Sequence, residues 1–111
     1  ELCSSNPLTG WYRDGCCNTD DNDNGLHTVC AKVNSDFLEW CKSAGNDLVT
    51  PHPEFGFPGL KDGDNWCVCA SWFARAVEAG KECKIYLKKT NEKTLKIIPL
   101  EILKKHAIDL S

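Results

Sequence analysis

The sequence predicts an α+β fold: two layers, a small sheet of three to four strands, about three helices, and a long irregular arm at the N-terminus. Three observations carry this expectation. Segments of strand and helix character follow one another in the order β-α-loop-β-α-β-β-α. The first two helical patterns each run into a glycine, Gly45 and Gly80, the residue that most easily closes a helix. Residues 1–27 and 46–65 are too rich in turn formers for regular structure. A chain of 111 residues is about one domain's worth, so residues 1–111 are expected to form a single domain around one modest core.

The elements follow in order. In the arm, Asn6-Pro7, Thr9-Gly10 and Asp14-Gly15 are turn signals, and 20–25 is a polar loop. An arm without periodicity must be held by side chains, with Trp11, Tyr12 and the cysteines as candidates. The run 27–33 is rich in β-formers and predicts a strand. Asn34 or Ser35 caps a helix running to about Ala44, with Asp36 in its first turn and Phe37, Leu38, Trp40 and Cys41 on the buried stripe. Pro51, Pro53, Gly56, Pro58, Gly59 and Gly63 keep 46–65 a loop, pinned by Phe55 and Phe57. Residues 66–70 read as a buried strand, and Ser71 as the cap of a helix over 72–79. Residues 84–88 and 94–98 read as a strand pair turning at 90–93. Pro99 suits the first turn of a third helix, from Leu100 to about His106, with lysines toward its C-terminal end.

The net charge of −3 argues against nucleic acid as a partner, and no window approaches 18 consecutive apolar residues, so the chain is not expected to span a membrane. The charge is uneven. Residues 1–64 carry four Lys/Arg against eleven Asp/Glu, and residues 65–111 carry nine against five. Such a surface is either two solvated faces or a dipole that orients a partner. No basic n-region and apolar h-region open the chain, so no secretory leader is expected in it. The expected setting is a processed organellar protein or a bacterial cytoplasmic one.

Eight cysteines, at 3, 16, 17, 30, 41, 67, 69 and 83, admit three readings. An even count in a short chain fits a disulfide framework. Cys67 and Cys69 lie two apart on a strand, at the edge of what a bridge spans, and Cys16 and Cys17 are neighbours, so bonds from these four to elsewhere would tie the arm to the sheet. Alternatively, Cys67 and Cys69 share a strand face and, with Cys16, Cys17, Cys30 and His27, could form a soft shell suited to Zn²⁺ or a thiol-redox site. No C-x-x-C pair supports that reading. The third is plain burial, which fits Cys41 and Cys30 best.

Asp20, Asn22 and Asn24 match the opening of a calcium loop, but the twelfth position is Ala31 where a bidentate Glu belongs. His106 fits a partner for the helix C-terminus. A Cys–His nucleophile pair, Cys30 with His27 or His52, has no motif behind it, and no P-loop, dinucleotide fingerprint or nucleophile elbow is present.

The stretches 6–17 (NPLTGWYRDGCC), 27–30 (HTVC), 45–48 (GNDL), 53–61 (PEFGFPGLK) and 63–70 (GDNWCVCA) are long and specific. Together they resemble an uncharacterised family, domain of unknown function 2237. The likeness continues through Glu92-Lys93 and Pro99-Leu100 and covers nearly the whole chain. It implies a two-layer α+β domain, mostly a stand-alone soluble protein of bacteria and some algae or other eukaryotes, and it implies no activity. The family's cysteines match Cys3, Cys16, Cys17, Cys30, Cys67 and Cys69, whereas Cys41 and Cys83 look like extras and the acidic loop departs from the family's pattern. A reducing cytoplasm for many members would shift weight from disulfides toward buried thiols or a metal.

The sequence therefore leads us to expect a non-catalytic accessory or protein-interaction domain, or a subunit of a larger assembly. Trp11, Phe55, Phe57 and Trp66 are its candidate contact residues. A cysteine-based metal or redox module stands as the alternative, and a Cys–His enzyme as the second. Zinc is the one cofactor with any support.

Overall fold

The structure, a computed structural model, describes residues 2–109. Strand β1 (Val29–Lys32) lies at the centre of an antiparallel sheet, flanked by β2 (Asn65–Val68) and β3 (Lys84–Ile85). Cys30 pairs with Cys67 and Ala31 with Trp66 on one side, and Ala31 with Ile85 on the other. Side chains alternate across a strand, so the sheet has two distinct faces. Val29, Ala31, Trp66, Val68 and Ile85 enter the main core, whereas Cys30 and Cys67 point away from it into a separate buried cluster with Cys3 and Cys17.

The helices cover the first face. Helix α1 (Ser35–Ala44) begins where the Asn34 side chain accepts a hydrogen bond from the Phe37 N–H at 2.8 Å. It ends at Gly45, whose φ of +109° lets its N–H reach back to the Cys41 and Lys42 carbonyls. Helix α2 (Ala70–Ala79) stops in the same way at Gly80. Phe37 and Phe73, both fully buried, meet between the two helices at a centroid distance of 6.4 Å, and Trp40 sets its edge on Trp72. Helix α3 (Leu100–His106) adds Leu103 to the core and leads to the Ile108 N–H, which donates to the Ile85 carbonyl.

The arm covers the second face. Among its described residues it contains no helix and no strand beyond isolated bridges between Leu2 and Cys16 and between Ser5 and Leu8. Disulfides Cys3–Cys30 and Cys17–Cys67 fasten it to the sheet. The buried Thr9 hydroxyl accepts a hydrogen bond from the Cys67 N–H at 2.8 Å, which satisfies a donor on the open edge of β2. Among the described residues no helix is long and apolar enough to cross a membrane.

Four local expectations are corrected. Ser71 is not the cap of α2: Cys69 occupies that position, and the helix N-terminus is met by the Leu26 and Gly25 carbonyls, which accept from the Ala70 and Ser71 N–H groups. The strand pair at 84–88 and 94–98 is not formed. After Ile85 the chain enters 3-10 turns over Leu87–Lys89 and Glu92–Lys96. The cause is non-local. The Asp109 carboxylate accepts from the Leu87 and Lys88 N–H groups, drawing them off the ladder, and the Thr94 hydroxyl is buried against that of Thr28 at 2.6 Å. Thr94 and Ile98 are buried while Leu95 and Ile97 are exposed, a spacing of four where a strand needs two. Pro99 is the residue before α3 and lies outside its first turn. His106, although last in α3, turns inward onto the Phe73 ring, and burial pushes its pKa down.

Candidate functional site

A cleft of about 530 Å³ opens where the arm, the long loop and the edge strand β2 meet. The four expected contact residues converge there. Trp66 from β2 forms the floor, Phe57 sets its ring edge-on to it at 5.3 Å, Phe55 stands exposed at the mouth, and Trp11 closes the arm side. The loop can carry these rings because it folds on itself. His52 and Phe57 pair as an isolated bridge around the Pro53–Phe55 turn. Gly59, at a φ of +80°, lies against the Val49 carbonyl where any side chain would collide. Asp47 organises the loop's start: its carboxylate accepts from the Thr50 hydroxyl and from the Val49 and Thr50 N–H groups, which holds its pKa down at about 2.

One guanidinium and two imidazoles line the same cleft. Arg13 is a non-glycine residue in the left-handed region, with φ of +55°. Such a conformation costs energy and is found where the surroundings impose it. Here the Gly10 carbonyl accepts both the Arg13 N–H and one guanidinium N–H, at 3.1 and 2.7 Å, and the guanidinium lies 5.2 Å from the centre of the Trp66 ring. Among the described residues no carboxylate pairs with it. His27 stacks on Trp11 and sets Nδ1 2.7 Å from the buried Asp23 carboxylate. Burial raises the Asp23 pKa, but hydrogen bonds from the His27 side chain and backbone and from the Thr19 hydroxyl outweigh it and leave the carboxyl below its usual range. His52 stacks on Phe57 and engages Glu54 through Nδ1. Among the described residues each imidazole makes its side-chain hydrogen bond through Nδ1.

Sequence reading missed Arg13 and the Asp23–His27 pair. The usable signals were an arginine two residues after Trp11 and the i, i+4 spacing of Asp23 and His27, which the resemblance to a calcium loop obscured. In that loop Asp20 accepts from the Asn22 N–H and the Tyr12 hydroxyl, and Asp23 faces His27. Among the described residues no three carboxylate or imidazole groups of this loop gather their ligand atoms in one place.

Of the six proposed metal or redox residues, Cys17, Cys30 and Cys67 gather with Cys3 in one buried cluster, and Cys16, Cys69 and His27 lie outside it. Cys17 and Cys67 share a disulfide, and Cys30 is bonded to Cys3, so its expected place among the buried free thiols is corrected. Cys16 is half-buried and free. Cys69, also free, donates its thiol to the Gly25 carbonyl at 3.0 Å and borders a smaller pocket of about 140 Å³ that His27 shares. Cys41 and Cys83 are free and buried in the main core. Cys3, absent from that candidate set, is the residue whose sulfur gathers with those of Cys17 and Cys67, all within 4.8 Å of one another.

Eight of the nine residues lining the large cleft, all but His52, lie in the five long motifs. No curated protein matches the chain. A family model described as an uncharacterised protein conserved in bacteria, DUF2237, matches residues 1–107, and the chain belongs to that family.

Proposed function

We propose that the chain is a non-catalytic recognition domain whose cleft receives an acidic group carried on a flat apolar body, presented by a partner protein as an acidic segment with an aromatic side chain. The observation that carries this reading is the unpaired Arg13 guanidinium beside Trp66, within a wall of Trp11, Phe55 and Phe57. An arginine fork binds a carboxylate through paired hydrogen bonds, and the exposed rings of Trp11 and Phe55 supply contact area with little loss of side-chain freedom. The neighbouring carboxylates do not compete for Arg13, because Asp23, Asp47 and Glu54 are each engaged by other groups. The volume is of the size that takes a small ligand or one anchoring side chain.

Fragment titration tests this. Phenylacetate, phenylacetamide and acetate are added separately while NMR follows the indole N–H signals of Trp11 and Trp66 and the ring signals of His27 and His52. The aromatic carboxylate shifts all four, and the amide and acetate do so only at much higher concentration. If none of the three binds, or the amide binds as well as the acid, the reading fails.

One observation favours a second reading, a thiol–imidazole enzyme. The buried Asp23 carboxylate orients His27, and the free thiol of Cys69 borders a pocket with that imidazole. Under it, Cys69 alkylates far faster than Cys16, and Asp23→Asn abolishes the difference. Equal rates would rule it out.

A further inference from the structure

We infer that the four-cysteine cluster beneath the arm is a redox-dependent zinc site, in which the reduced chain binds one Zn²⁺ through Cys3, Cys17, Cys30 and Cys67. This rests on the second face of the sheet and is independent of the cleft.

The geometry comes first. Two ligands come from the sheet and two from the arm. Cys30 and Cys67 are directly opposed on the β1–β2 ladder, which fixes their separation without any bond between them. Cys3 and Cys17 are held near each other by the arm's own backbone: the Cys3 and Ser4 N–H groups both donate to the Gly15 carbonyl, at 2.7 and 3.1 Å, and Leu2 bridges Cys16. All four cysteines are at least 96% buried and form one cluster. The sulfurs of Cys3, Cys17 and Cys67 lie within 4.8 Å of one another, and that of Cys30 is bonded to Cys3. A tetrahedral zinc tetrathiolate, with Zn–S of about 2.3 Å, needs its sulfurs about 3.8 Å apart. The Cys30 sulfur lies outside that trio and turns toward it once the two bonds are broken.

The charge also fits. A zinc tetrathiolate carries a net charge of −2. The small pocket beside Cys16 and Cys17 is bordered by Lys88 and Lys89, and Lys89 sits over the ring of Tyr86, the side chain packed on the cluster.

The chemistry balances as follows. A dithiol gives two electrons and two protons to each disulfide and leaves as its own disulfide, so two dithiols convert the cluster to four thiols. Zn²⁺ then displaces four protons. In reverse, two small disulfides accept the four electrons and, with four protons, leave as four thiols while Zn²⁺ is released. In both states arm and sheet are joined, first by sulfur–sulfur bonds and then by the metal. This matters because the arm has so little regular structure of its own.

The test uses the full chain, reduced with dithiothreitol, freed of reductant without air, and given Zn²⁺ alone. Native mass spectrometry is expected to show one zinc per reduced chain and none on the oxidised chain. Co²⁺ in place of zinc is expected to give the visible bands of tetrahedral thiolate ligation. Iodoacetamide mapping needs no variant: zinc protects Cys3, Cys17, Cys30 and Cys67, while Cys16 and Cys69 stay reactive. A Cys16→Ser/Cys69→Ser chain keeps the metal, and Cys17→Ser loses it. No uptake by the reduced chain, uptake with a different protected set, or loss of metal in the Cys16→Ser/Cys69→Ser chain would each overturn the assignment.

Discussion

Cys30 and Cys67 stand opposite each other on the β1–β2 ladder, yet each is bonded to the arm, Cys30 to Cys3 and Cys67 to Cys17. A bond between the two strand cysteines would join segments that backbone hydrogen bonds already hold. Bonds from both to the arm fasten a segment that is otherwise tied to β2 by side-chain hydrogen bonds, from the Cys67 N–H to the Thr9 hydroxyl and from the Asn65 amide to the Cys3 carbonyl. They also bring Trp11 and Arg13 to the cleft, so the cysteine cluster and the cleft share one support.

Losing either disulfide therefore costs stability and frees one wall of the cleft. Each is expected to contribute about 2–4 kcal/mol, with Cys17–Cys67 ahead by about half a kcal/mol because it closes the longer loop, a separation of 50 against 27. Urea unfolding of the Cys3→Ser/Cys30→Ser and Cys17→Ser/Cys67→Ser chains, without metal, measures both values. Equal stability of oxidised and reduced wild-type chains would contradict the role given to the arm.

The four free cysteines divide into two reactive and two silent. Burial pushes the Cys41 thiol up to about 11 and the Cys83 thiol to about 12. The thiolate is the nucleophile, so at pH 8 the reactive fraction of each is at least about a hundredfold below that of an ordinary exposed thiol. Iodoacetamide on the oxidised native chain is expected to label Cys16 and Cys69 and to reach Cys41 and Cys83 only after unfolding. Early labelling of Cys83 would place it outside the core.

Acid destabilises the fold through two carboxylates. Asp23 and Asp47 both have folded pKa values below their unfolded ones, Asp47 at about 2. A depressed carboxyl contributes stability above its unfolded pKa, about 4, and loses it as pH falls through the folded value. The urea midpoint is thus expected to decline first below about pH 6.5, where His106 takes up its proton more readily in the unfolded chain, and to fall further between about 4 and 2 as the two carboxylates protonate. Asp23→Asn is expected to flatten that fall and to cost about 1–3 kcal/mol at pH 7, because His27 and Thr19 lose a charged acceptor inside the protein. A wild-type midpoint independent of pH over that window would remove both carboxylates from the account.

The helices were legible in the sequence because their signals are local. Asn34 caps α1 from three residues away, and Gly45 and Gly80 close helices they directly follow. The strand pair at 84–98 failed because the groups that prevent it are distant in sequence. Asp109 takes the Leu87 and Lys88 N–H groups from 22 and 21 residues away, and Thr28 holds Thr94 from 66. The cysteine partners were illegible for a related reason: alternation puts Cys30 and Cys67 on the face opposite the helices, but only the path of an irregular arm decides which cysteines meet them. The aromatic residues of the cleft are legible in their motifs, whereas for Arg13 the sequence offers only its spacing from Trp11, because its place over Trp66 depends on a backbone conformation that favours glycine.

That conformation gives a clean way to separate chemistry from folding at the cleft. Arg13→Gly removes the guanidinium and relieves the left-handed strain together. The loss of its contact with Trp66 costs about 0.5–1 kcal/mol, and the relief of strain offsets it by a similar amount. The variant is therefore expected to unfold within about 1 kcal/mol of wild type while its affinity for phenylacetate falls at least about tenfold, the loss expected for one charge-assisted pair. Arg13→Lys keeps the charge, lacks the fork and keeps the strain, so it is expected to bind weakly and be the less stable of the two. If Arg13→Gly bound phenylacetate as well as the wild-type chain, the guanidinium would have no part in recognition, and the strain at position 13 would need another cause.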